Sequence, residues 1–154
     1  MEKIDYKKLL IFIFGTYLIG GLFSFFIDMP SMYQELNKPF LSPPGYVFPI
    51  VWTVLYTLMG ISLYLVSEES GDKKKSYIIY IVQLILNSLW TLFYFGLDMK
   101  LFAFIILIGL IISVIIMNLE FIKLNKTAAY LQIPYLIWLI FAGYLNLSTY
   151  LLNM

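Results

Sequence analysis

Residues 101–123 read LFAFIILIGLIISVIIMNLEFIK, and no ionisable side chain appears in the run before Glu120. A helix of that length spans about 35 Å at 1.5 Å per residue, enough to cross a hydrocarbon core of ~30 Å. The run is apolar without alternation, so it does not read as a strand of a membrane barrel. A buried backbone in lipid must pair its own N–H and C=O groups, and a helix does so within one segment.

Four more stretches of the same kind flank it: roughly residues 7–27, 46–66, 77–97 and 128–151. None carries Asp, Glu, Lys or Arg near its centre, and Glu120 and Lys123 stand at one end, where long side chains can snorkel. The fold class expected is therefore an all-α membrane protein, a bundle of five transmembrane helices in a single domain over residues 1–154. Composition agrees. The chain is 62% hydrophobic and 12% charged, where a soluble domain is nearer half apolar and a quarter charged. So small a domain cannot hide that much apolar surface from water.

The N-terminus has Lys3, Lys7 and Lys8 before an apolar run, as a signal peptide does. Its apolar run is longer than the ~7–15 residues of such a signal and has no Ala-x-Ala site, so it reads as a retained first span. Connections are short, apart from residues 28–45, DMPSMYQELNKPFLSPPG. Pro30-Ser31 predicts a short helix with Ser31 as its cap, placing Tyr33 and Leu36 on one face. Pro39, Pro43 and Pro44 stiffen the return. Structured loops of this length often act as lids.

The ten basic residues are all Lys. The N-terminal tail and loops 67–76 and 123–127 hold eight of them, against Lys38 and Lys100 on the other side. The positive-inside rule then puts the N-terminus in the cytoplasm of a multi-pass cell-membrane protein, with the C-terminus and the lid outside.

With no Cys and no His, disulfides, thiolate or imidazole metal sites and axial His ligation of haem are excluded. No metal site is expected, and no basic patch outside the loops suggests nucleic acid. No carboxylate pair or Ser/Lys dyad sits inside the spans, no intramembrane acid suggests ion coupling, and no filter-like motif suggests a channel. What remains are polar and aromatic residues at helical spacing. The third span carries Gln83, Asn87 and Trp90 or Thr91. The second carries Trp52, Tyr56 and Met59 or Gly60, and the fifth Tyr135, Trp138, Ala142 and Leu145. Pro134 is expected to free a carbonyl near Tyr130 inside the fifth span. Buried amides often only bridge helices, at ~0.6–2 kcal/mol each, and Trp and Tyr often only belt the interface. Three such faces beside a Pro-rich lid point instead to a cavity with flat aromatic walls, suited to a large, flat, apolar ligand.

Several motifs resemble those of the TspO/MBR family (translocator protein, tryptophan-rich sensory protein). Residues 33–39, YQELNKP, resemble its W-Y-x-x-L-x-K-P loop. Residues 42–56, SPPGYVFPIVWTVLY, match its P-P-G-x-x-F-P-x-x-W-x-x-L-Y stretch. Residues 83–90, QLILNSLW, resemble Q-L-x-L-N-x-x-W. Residues 134–146, PYLIWLIFAGYLN, resemble P-Y-x-x-W-x-x-F-A-x-Y-L-N. The resemblance covers the loop 28–45 and the second, third and fifth expected spans, in order. It implies a five-helix bundle binding protoporphyrin and related tetrapyrroles, in some members sterols or drug-like amides, and a homodimer. By position it implies a ligand pocket at the outer end of the bundle, lined by Tyr33, Trp52, Asn87, Trp90, Trp138 and Ala142. Porphyrin is then ligand, and no cofactor is required.

Three functions follow as expectations. The first is a receptor or translocator-like porphyrin-binding protein. The second is an enzyme of light-dependent porphyrin degradation, with Trp52 and Trp138 as candidate catalytic residues. The third is a stress-regulatory membrane partner. The chain departs from the family pattern where Met32, Leu41, Tyr46 and Leu147 stand at positions often held by Trp. Nothing basic follows Tyr144 or Tyr150, so a sterol-contact motif is unsupported.

Overall fold

The computed structural model describes residues 4–154; Lys3 of the N-terminal lysines lies outside them. In chain order the helices are α1 Tyr6–Gly20, α2 Met29–Gln34, α3 Val47–Glu68, α4 Lys74–Thr91, α5 Lys100–Leu124, α6 Lys126–Tyr130 and α7 Ile133–Leu152. A 3₁₀ turn, Leu22–Phe25, follows α1, and a π turn, Leu92–Gly96, extends α4. No strand occurs among the described residues.

Four helical stretches are long and apolar enough to cross a membrane: Val47–Glu68, Lys74–Gly96, Lys100–Leu124 and Lys126–Leu152. α5 shows why lipid is their solvent. Ala103, Leu107, Leu110, Val114, Met117 and Phe121 recur every three or four residues and are fully buried. The opposite face presents Ile105, Ile112 and Leu119 at 59%, 53% and 57% exposure. A stripe of this kind in water would be an aggregation surface.

The first expected span is not one helix. α1 ends at Gly20, 15 residues long, about 22 Å at 1.5 Å per residue. Only with the 3₁₀ turn, at about 2.0 Å per residue, does the segment approach 30 Å. The break has a local cause. A Cβ on Gly20 would stand 2.7 Å from the Tyr56 ring, so the backbone itself packs on that ring. Ser88 Oγ of α4 donates to the carbonyls of Ile19 and Gly20, the latter at 3.0 Å, groups that a continuing helix would have paired. One turn earlier, the hydroxyls of Thr16 and Tyr80 lie 2.6 Å apart. α1 crosses α3 at Gly60, where an added Cβ would meet the Ile13 Cα at 2.5 Å.

The last expected span, 128–151, is likewise broken, into α6 and α7. Asn125 caps α6, accepting from the Ala128 N–H at 2.9 Å. Pro134 stands in the first turn of α7 instead of inside a continuous helix, so it removes no helical hydrogen bond there. The third expected span begins at Lys74 and finishes in the π turn, where the Leu97 N–H reaches back to the Leu92 carbonyl at 2.9 Å.

The loop after the first segment is ordered by its own contacts. Asp28, not Ser31, caps α2: its carboxylate faces the Ser31 N–H, and Ser31 Oγ donates to the Asp28 carbonyl at 3.2 Å. Tyr33 is buried, Leu36 packs on the core, and the Tyr33 hydroxyl donates to the Pro43 carbonyl at 2.7 Å. The Lys38 ammonium closes the end of α2 on the carbonyls of Tyr33 and Gln34. α7 straps the loop down. Asn153 brackets the backbone of Asn37, accepting from its N–H at 3.1 Å and donating to its carbonyl at 2.9 Å. Tyr144 donates to the Phe40 carbonyl at 2.5 Å.

Candidate functional site

Beneath this loop lies a cavity of about 330 Å³. Its walls come from the end of α1 and the 3₁₀ turn (Tyr17, Phe25), the lid (Tyr33), α3 (Phe48, Trp52, Tyr56), α4 (Trp90) and the π turn (Phe95). No charged side chain lines it. Trp52 is its centre. Its ring lies 5.2 Å from Tyr56, 6.4 Å from Trp90 and 6.2 Å from Tyr135, centroid to centroid. Phe48 stands edge-on to Tyr33 at 5.0 Å. Such a cavity offers dispersion, stacking and a few hydroxyls.

Behind the Tyr56 wall lies a chain of buried polar groups. The Tyr56 hydroxyl donates to Asn87 Oδ1 at 2.8 Å, and Asn87 Nδ2 donates to the Tyr135 hydroxyl at 3.1 Å. Tyr135 donates in turn to Gln83 Oε1 at 2.9 Å. Asn87, Gln83 and Tyr135 are almost wholly buried. The chain links α3, α4 and α7, and every bond satisfies a group that would be costly to leave unpaired.

The six residues expected to share one pocket therefore separate. Tyr33, Trp52 and Trp90 line the cavity. Asn87 does not: both ends of its amide are held by tyrosines, and it reaches the cavity only through Tyr56. Ala142 faces a second, small pocket of about 20 Å³, on the far side of a partition formed by Tyr33, Phe48, Trp90 and Phe95. Trp138 lines neither; it is half-buried, edge-on to Phe48 at 5.8 Å and against Phe141 at 5.6 Å. The cavity thus sits to one side of the bundle, without α5 or α7 in its wall.

Three contributors carried no signal in the sequence. Tyr17 and Phe25 belong to a segment that carries none of the family motifs, and the break after Gly20 sets Phe25 on the 3₁₀ turn. Phe95 reaches the cavity through the π turn, which shifts its angular position relative to a regular helix. No group of three or more His, Cys, Asp or Glu residues able to hold a metal occurs among the described residues.

Comparison with known proteins fits this geometry. Residues 9–151 match the TspO/MBR family. The chain is 38% identical to the tryptophan-rich protein TspO of Archaeoglobus fulgidus, over 95% of this chain and 97% of that protein. It is 34% identical to the tryptophan-rich protein TspO of Chlorobaculum tepidum, over 88% and 89% respectively. It is 34% identical to the translocator protein of Ovis aries, over 74% and 70%. With several apolar helices of membrane-spanning length and this match over nearly its whole length, the chain is a multi-pass membrane protein that belongs to the TspO/MBR family.

Proposed function

We propose that the protein is a receptor or translocator-like protein for porphyrins and similar flat, apolar ligands, held in the aromatic cavity under the lid. The observation that carries this reading is the wall itself, Trp52 and Trp90 with ring centroids 6.4 Å apart, closed by Tyr33. Each aromatic contact contributes about 0.5–1.5 kcal/mol beyond burial. At about 330 Å³ the cavity is near the lower bound of small-molecule sites, ~300–1,000 Å³. A macrocycle then needs the partition of Tyr33 and Phe48 to shift, joining the space beside Ala142 to the cavity. The lysine asymmetry supports a lid on the outer side, and the summed length of α1 and its 3₁₀ turn supports a fifth span.

Titration of detergent-purified protein with protoporphyrin in the dark tests the reading. The porphyrin absorption band is expected to shift saturably, and a shift indistinguishable from that in empty detergent would overturn the proposal. The Trp52 indole in the cavity wall also favours a second reading, light-dependent porphyrin degradation, with Trp52 and Trp138 as its candidate residues; Trp138 stands behind the wall, edge-on to Phe48. Illumination of the complex would then yield a defined product, against uniform bleaching if the site only binds.

A further inference from the structure

The indole N–H of Trp90 is turned away from the cavity that its ring lines. It donates to Asn146 Oδ1 on α7 at 2.9 Å, and Asn146 Nδ2 donates to the Lys100 carbonyl at the start of α5 at 2.8 Å. Trp90 and Asn146 are 7% and 1% exposed, so water does not substitute for either bond. The other aromatic contacts of the ring are to ring faces and edges: Tyr94 stacks on it at 5.5 Å, Phe95 meets it edge-on at 6.3 Å and Trp52 lies tilted at 6.4 Å. Packing holds the ring plane, and the hydrogen bond to Asn146 adds a preference specific to the one polar edge of the indole.

The Asn146 amide sets that preference. Turned over, it would set its NH₂ against the indole N–H and its oxygen against the Lys100 carbonyl, losing both bonds. Asn146 makes no contact with the larger cavity and lines only the small pocket beyond the partition.

We infer that Asn146 is a positioning residue of the ligand site: through Trp90 it fixes the edge and face of the indole presented to the cavity. The ligand half of this statement rests on the porphyrin-binding reading; the orientation of Trp90 does not. Neither rests on α7 lining the larger cavity, from which the partition separates it in the ligand-free fold.

The test separates the two halves. With Trp52→Phe and Trp138→Phe in place, Trp90 is the sole tryptophan. In that ligand-free protein Asn146→Leu should lower the Trp90 near-ultraviolet circular dichroism at least twofold. Asn146→Asp, whose protonated carboxyl both accepts and donates, should restore it. Asn146→Ser, too short to reach the indole, serves if the Leu variant does not fold, and should behave as Leu does. With all three tryptophans present, Asn146→Leu should weaken protoporphyrin binding about tenfold. In a Trp90→Phe background it should weaken binding no further. An unchanged Trp90 signal in both Leu and Ser variants would overturn the inference. So would an affinity loss that adds in full to that of Trp90→Phe. If the unaltered protein takes up no protoporphyrin, the proposed function fails, and the ligand-free Trp90 signal alone decides the role of Asn146.

Discussion

Tyr56 presents its ring to the cavity and its hydroxyl to Asn87, 2.8 Å away on the neighbouring helix. The Asn87 amide therefore acts on the cavity wall from behind, and its first duty is to the bundle. Asn87→Ala leaves the Tyr56 hydroxyl without its acceptor, at about 1–3 kcal/mol for an orphaned buried group, and removes one of the two bonds of the Tyr135 hydroxyl, which keeps Gln83. The expected outcome is a clear fall in the melting temperature of the ligand-free protein, with a smaller loss of porphyrin affinity. Strong loss of affinity at unchanged melting temperature would place Asn87 in direct contact with ligand instead.

Gly60 tests the crossing of α1 on α3. A Cβ there meets Ile13 backbone at 2.5 Å, and backbone cannot step aside as a flexible side chain can. Gly60→Ala is expected to destabilise the protein by about 1–3 kcal/mol, as overpacking does. Gly109 is the control, because a Cβ there meets nothing within 4 Å. Gly109→Ala should be neutral or slightly stabilising, since Gly is the poorer helix former. Equal melting temperatures for the two variants would mean that the α1–α3 crossing is looser than described.

The loop over the cavity is held by Tyr144 of the last helix and by Asn153, which caps its end. Removing the Asn153 amide with Asn153→Ala breaks both bonds to the Asn37 backbone. Hydrogen exchange across residues 31–42 should rise in that variant, and bound porphyrin should lower it in the unaltered protein. Exchange insensitive to both would reduce the segment to a connector.

The lysine asymmetry predicts a cytoplasmic N-terminus and an outer C-terminus. A reporter that works only outside the cytoplasm, fused after Met154, should be active, and one that works only in the cytoplasm should be silent. The reverse pattern would turn the cavity toward the cell interior.

Much of this architecture was legible in the sequence because lipid imposes a simple rule on it. Long apolar runs must be helices, and α3 and α5 lie within two residues of the expected bounds. Tyr33, Trp52 and Trp90, expected together from helical spacing beside the lid and from three family motifs, do line one cavity. Other features depend on contacts between segments distant in the chain. The end of α1 at Gly20 needs the Tyr56 ring and the Ser88 hydroxyl. Pro134 interrupts no continuous helix, since Asn125 starts a separate short helix before it. Periodicity put Asn87 on an inward face correctly, yet could not tell a tyrosine partner from a ligand. Spacing on α7 grouped Trp138 with Ala142, while the bundle sets both outside the larger cavity.

Whether the Trp52–Trp90 wall holds ligand is read in a Trp138→Phe protein, whose remaining tryptophans are those two. Titrated with protoporphyrin in the dark, its fluorescence should be quenched saturably and nearly completely, with one affinity. Quenching that never saturates, or an affinity that survives unchanged in the Trp52→Ala, Trp90→Ala variant when read by porphyrin absorption, would contradict a ligand site there.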